Sequence, residues 1–205
     1  MSKISIKGAD TGTGVFTLES PATNTDRTLV LPDEAGTVLS SGTPLSSFPT
    51  GFANGITVAD SWRLTVNKTL DGTLDANLER ADEPSSGIVG SGMTESGGIF
   101  TFPSTGIYLV TCTGYFSIDA PDNTALDTQV STDGGSNWNT FASAIGGLGS
   151  GIYQNSGTTF SMIDVTSTAN VKVRFAASSL AAGSQVMGNS SENRTHFTFI
   201  RLGDT

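Results

Sequence analysis

The chain has 205 residues, of which Ser, Thr and Gly fill 80, and only 14% are charged; helix formers such as Lys, Glu and Met are scarce, which argues against a mainly helical fold. A hydrophobic fraction of 36%, with 11 Phe, 3 Tyr and 2 Trp, is too rich for an intrinsically disordered chain and sufficient for one core. Ten basic against 19 acidic residues leave a net charge of −9, which repels a phosphate backbone and argues against a nucleic-acid partner.

The start, Met1-Ser2-Lys3-Ile4-Ser5-Ile6, lacks the apolar core of a signal peptide, and no stretch approaches the roughly 18 consecutive apolar residues of a membrane span. The expectation is a protein made without a secretion signal and not inserted in a membrane. Residues 1–42 read as short strands broken by turns: Ile4 and Ile6, then Phe16 and Leu18, then Leu29 and Leu31 alternate with polar neighbours. So few apolar side chains cannot offset the entropy of ordering a free-standing domain, so this segment needs partners. Residues 43–56, with Pro44, Pro49, Phe48 and Phe52, read as a linker or collar.

From residue 57 to 205 the pattern is short β segments separated by Gly, Asn and Asp. The expected strands are Ser61-Val66, Gly98-Phe102, Ile107-Ile118, Thr124-Ser131, Trp138-Ala144, Thr158-Val165, Asn170-Ala176 and Thr195-Leu202. Asp133-Gly134-Gly135 between two strand-like runs predicts a hairpin, and Val165 to Val171 predicts a second one. Together these features predict an all-β chain: an intertwined N-terminal segment, then an antiparallel β-sandwich of jelly-roll type. Lone Cys112, inside Tyr108-Leu109-Val110-Thr111-Cys112, reads as a small buried hydrophobe.

Two resemblances sharpen this. The run Gly12-Thr13-Gly14, Ser20-Pro21-Ala22-Thr23-Asn24 and Leu31-Pro32-Asp33-Glu34-Ala35-Gly36-Thr37 resembles the β-rich segment of tail-fibre and related structural proteins of tailed bacteriophages. That resemblance implies three chains wound together, attachment to other virion proteins through residues 1–42, and location in the virion after synthesis in the host cytoplasm. Phe102-Pro103-Ser104-Thr105-Gly106-Ile107-Tyr108, followed by the terminal strand Phe197-Thr198-Phe199-Ile200-Arg201-Leu202, is similar to the jelly rolls of the tumour-necrosis-factor and complement-globular-head families. Their members are trimers, which implies a homotrimer here.

The residues speak to association as well. In Ile107 to Ile118 the even set is Tyr108, Val110, Cys112, Gly114, Phe116 and Ile118, while the odd set includes Leu109, Thr111, Thr113 and Tyr115. Apolar bulk on both faces requires cover on both, one by the opposite sheet and the other by a second subunit or by the chain's own loops. By the resemblance, the even set fills the sandwich and Leu109, Thr111, Thr113 and Tyr115 face a three-fold axis.

Catalytic chemistry finds little support. His196 is the single histidine, so a multi-imidazole metal site is excluded, and no Gly-x-Ser-x-Gly elbow accompanies it. Gly87 to Gly92 and Gly146 to Gly151 lack the P-loop Lys and the dinucleotide spacing and read as loops; no cofactor is expected. Asp71, Asp75, Glu79, Asp82 and Glu83 read as a solvated acidic surface rather than a glycosidase pair, and Asp119 with Asp122 does not follow an EF-hand spacing. Trp138 and Tyr153, with Trp62 a weaker case, suit stacking on a host cell-surface glycan from the loops Asn137–Gly151 and Gly183–Asn193. Trp138 equally suits closing the Asp133 hairpin. The expectation is a non-enzymatic, homotrimeric phage tail fibre or host-recognition protein, with a capsid decoration protein as the alternative.

Overall fold

The computed structural model describes residues 55–119, 123–147 and 153–205, together with positions 11, 13 and 24–26. The chain divides into two compact units, Met1–Pro49 and Thr50–Thr205. The strands expected within residues 1–42, the linker residues Phe48 and Phe52, and Asp122 lie outside the described residues.

Among the described residues the second unit carries twelve strands: β1 Ala59–Leu64, β2 Gly72–Thr73, β3 Leu78–Arg80, β4 Thr94–Ser96, β5 Ile99–Thr101, β6 Gly106–Ile118, β7 Thr124–Ser131, β8 Asn139–Gly146, β9 Tyr153–Val165, β10 Lys172–Ser178, β11 Gln185–Val186 and β12 His196–Gly203. All pairings are antiparallel. One sheet has β9 along one side of β6 and, on the other, β12 followed by β11, with β1 and β3 beyond β12. The second sheet runs β4-β5-β10-β7-β8, with β2 beside the end of β10. The architecture is an all-β sandwich of two antiparallel sheets, as the short, turn-punctuated segments predicted. All eight expected strands are present; four further ones, β2, β3, β4 and β11, are two or three residues long.

Alternation makes the core. Tyr108, Val110, Cys112, Phe116 and Ile118 on β6 are buried, as are Phe197 and Phe199 on β12, and they meet Phe100 of β5 and Val173 and Phe175 of β10 from the opposite sheet. The Phe175 and Phe197 rings stack at 3.8 Å between centroids, and Trp62 meets Phe100 edge-on at 5.3 Å. Cys112 is fully buried, and that burial pushes its thiol pKa up.

The Pro-x-x-Gly-x-Tyr run has a mechanical reason. The Phe102 and Tyr108 rings pack at 4.7 Å, and the Tyr108 hydroxyl donates to the Ser104 carbonyl at 3.1 Å, folding residues 102–108 into the start of β6. Gly106 sits at φ +140°, where a Cβ would lie 2.5 Å from the Gly203 carbonyl oxygen. Gly106→Ala is therefore expected to cost roughly 2–4 kcal/mol, from backbone strain plus displaced pairing of β6 with β12, read as a lower urea midpoint.

The β7–β8 hairpin forms as expected, with Gly134 and Gly135 at positive φ. The Asp133 carboxylate accepts from the Asn137 backbone N–H at 2.9 Å and side-chain amide at 2.6 Å, and from the Ser131 hydroxyl at 2.8 Å; these bonds hold its pKa down at about 2. A depressed carboxylate pKa contributes stability above its unfolded value of about 3.9, and that contribution disappears as pH falls through the folded value. Amide exchange at Asn137 is expected to accelerate between pH 4 and 2 relative to the Asp133→Asn variant. No difference between the two would remove the carboxylate from the account.

The second predicted hairpin is not one. Residues 166–171 carry the chain across the sandwich, from β9 in one sheet to β10 in the other, with the Val171 N–H donating to the Ser167 carbonyl at 2.8 Å. A turn of this length can bend within a sheet or cross between sheets, and the local residues do not distinguish the two.

Candidate functional site

Directly paired residues of an antiparallel sheet share a face, so the register builds the outward surface of the β9–β6–β12 sheet row by row. Leu109 pairs with Met162 and Ile200, Thr111 with Phe160 and Thr198, Thr113 with Thr158 and His196, and Tyr115 with Ser156. Leu109, Thr111, Thr113 and Tyr115 are half-buried and share the face opposite the core. Phe160 and Met162 on β9 were outside the site expected from sequence and are its most exposed apolar groups, at 71% and 59%. Their signal was the alternation in Thr158-Thr159-Phe160-Ser161-Met162, which places both on the face away from Ile163 and Val165.

The chain's own loops cover only part of this sheet. Next to His196 in the register, Arg63 of β1 is fully buried beneath residues 79–83 and 190. Its guanidinium donates to Glu79 at 2.7 Å and to the Ser190 carbonyl at 2.6 Å, and pairs with Asp82 and Glu83. The acidic run read as a solvated surface thus supplies three carboxylates that clamp one buried cation, a pairing invisible until β1 and the following segment are folded together. Over β6 and β9, among the described residues, no comparable cover lies on Phe160 and Met162.

The face changes character along its length. At rows Leu109 and Thr111 it is apolar; from Thr113 onward it becomes a polar groove of about 500 Å³ that also includes Gln154 and residues 192–194 of the loop before β12. The Tyr115 hydroxyl donates to Gln154 Oε1 at 3.0 Å, the Thr113 and Thr158 hydroxyls are 3.0 Å apart, and Arg194 pairs with Glu192 at 2.5 Å. His196 opens β12, with Nδ1 3.1 Å from the Asn193 carbonyl.

The aromatic residues proposed for a receptor are not gathered. Trp62 is a core residue, its indole N–H donating to Asp60 at 2.9 Å. Trp138 closes its own hairpin: Nε1 donates to the Gly135 carbonyl at 2.9 Å and the Arg174 guanidinium covers the ring at 4.3 Å. Tyr153 begins β9, beyond the far end of β8, so strand geometry separates it from Trp138 by roughly 25 Å. The expected loop Asn137–Gly151 is largely strand β8, and its residues 148–151 lie outside the described residues. Trp138 lies at the end of the sandwich where residues 55–58 lead into β1, and Tyr153 at the opposite end.

Among the described residues no three His, Cys, Asp or Glu side chains gather as a metal site, and no helix is long and apolar enough to cross a membrane. No family model matches the chain, and no curated protein matches it in sequence. Its fold has solved counterparts. The chain is similar to murine APRIL, 14% identical over 71% of this chain and 98% of that one with a TM-score of 0.52. It is similar also to Eiger TNF from S. frugiperda, 15% identical over 72% and 94% with a TM-score of 0.53. The β-sandwich is a jelly roll of the tumour-necrosis-factor type.

Proposed function

We propose that three copies of this chain associate through the apolar rows of the β6–β9 face into a homotrimeric structural protein of a phage virion, a tail fibre or host-recognition head. The observation that carries this reading is the face itself. In a chain of net charge −9, Leu109, Thr111, Phe160, Met162, Thr198 and Ile200 form contiguous rows without a charged side chain, the surface on which like-charged copies can approach. Edge strand β8 offers a second apolar patch, Phe141 and Ile145, about half exposed, so one copy's face can meet the next copy's edge and close a ring. The resemblance of residues 1–42 to phage fibre segments supports attachment to other virion proteins, and surface glycan is the receptor class.

The test is fluorescently labelled full-length protein mixed with host cells and, separately, with virions stripped of it. Saturable adsorption to cells supports host recognition. Binding to stripped capsids alone overturns it and assigns the chain to capsid decoration.

A further inference from the structure

We infer that the outward face of β10 carries a binding platform for an anionic saccharide, held by Lys172 and Arg174. In a chain of net charge −9, the other five Lys and Arg among the described residues each pair with a carboxylate within 3.8 Å, whereas these two pair with none. They stand two residues apart, with Val173 and Phe175 turned into the core, so both project from one face with their stems about 7 Å apart. Neutral groups hold each in place. Lys172 Nζ donates to Thr101 Oγ1 at 2.9 Å and to the Thr168 carbonyl at 2.8 Å, which leaves its third N–H for a ligand. Arg174 Nε donates to Gln129 Oε1 at 2.7 Å, and the guanidinium lies on the Trp138 ring at 4.3 Å. Its terminal nitrogens, the fork that fits a carboxylate or phosphate, bond to no described residue. Burial alone draws the Arg174 pKa down, as it does for a cation with no anion beside it. Asp127, one row along, accepts from the Ser143 and Ser178 hydroxyls and pairs with neither cation.

The surroundings select the ligand class. Across β5 and β4 the rows continue as Thr101 and Thr94 beside Lys172, and as Ile99 and Ser96 beside Arg174. Hydroxyls next to two cations suit a sugar that brings its own hydroxyls and an acidic group. Ile99 is the one aliphatic side chain in these rows, less than the apolar centre a protein partner requires. Two cations release too few counterions to hold nucleic acid against the chain's net charge. Association of copies leaves the platform open, because it lies on the opposite side of the sandwich from the β6–β9 rows and two strands in from edge strand β8.

The saccharide class rests on the host-recognition reading; the place rests on the unpaired cations. Calorimetry on the full chain would compare an oligogalacturonate, a phosphorylated mannose oligosaccharide, a neutral galactose oligosaccharide, inorganic phosphate and an acidic peptide. One or both of the anionic oligosaccharides are expected to bind, and which of them binds identifies the acidic group. Lys172→Gln and Arg174→Gln should each weaken binding by about tenfold or more, with Arg174→Lys restoring only part because the fork is lost. Light scattering must show wild-type mass for the variants, and Lys172→Gln keeps the test sound should Arg174→Gln loosen the Trp138 hairpin. Binding of neither anionic oligosaccharide, equal binding of the neutral one, phosphate or acidic peptide binding as tightly, or unchanged affinity in both Gln variants overturns the site. Wild type and Gln variants adsorbing equally to host cells would sink the platform and leave host recognition standing. Absent adsorption of wild type would sink host recognition, while the calorimetry still decides the platform.

Discussion

Replacing Asp60 by alanine is expected to destabilise the sandwich by about 3–5 kcal/mol, lowering its melting temperature by roughly 10–15 °C. Asp60 is 2% exposed, and its two oxygens take five donors: Trp62 Nε1 at 2.9 Å, the Met93 N–H at 2.7 Å, Arg80 Nε at 2.8 Å and Nη2 at 3.1 Å, and the Ser61 N–H at 3.0 Å. Alanine leaves the Trp62 and Met93 donors buried without partners and deprives Arg80, which lies over the Trp62 ring at 4.8 Å, of its anchor. Asp60→Asn keeps one accepting oxygen and should recover part of the loss. A melting temperature within 2–3 °C of wild type for Asp60→Ala, an effect of about 1 kcal/mol, would show that the network is structurally idle.

The second large effect concerns assembly. Phe160→Asp combined with Met162→Asp is expected to convert a particle of three times the 21.1 kDa chain into single chains. Burying each side chain on association is worth about 1.5–3 kcal/mol, and the substitution replaces that gain with a charge that must be desolvated in every copy. Both side chains are more than half exposed in the single chain, so its own fold should survive, read as unchanged far-ultraviolet circular dichroism. Leu109→Asp should act in the same direction, because Leu109 shares a row with Met162 and Ile200. Wild-type protein at the mass of one chain would refute the trimer, and unchanged mass in the double variant would move the interface elsewhere.

Much of the fold is written locally. Thr124–Ser131 was located to the residue because its alternation is strict, and Asp133-Gly134-Gly135 fixed the hairpin that follows because few sequences other than Gly-rich ones tolerate successive positive φ. β9 was placed five residues short: Tyr153 to Gly157 are polar or small, and they become strand only because β6 offers thirteen partners along its length. β2, β3, β4 and β11 are too short to show a period at all. Trp138 and Tyr153 looked like one receptor surface because sequence distance hides a whole intervening strand, β8.

The even and odd sets of β6 were separable from sequence alone, because a strand's side chains alternate whatever surrounds it. Which set faces the core, that Phe160 and Met162 join Leu109 on the outer face, and that Glu79, Asp82 and Glu83 close over Arg63 depend on cross-strand register and on which loops cover which strands. Those are long-range choices, made by burying apolar area while pairing the buried charges Arg63 and Asp60, and no window along the chain contains them.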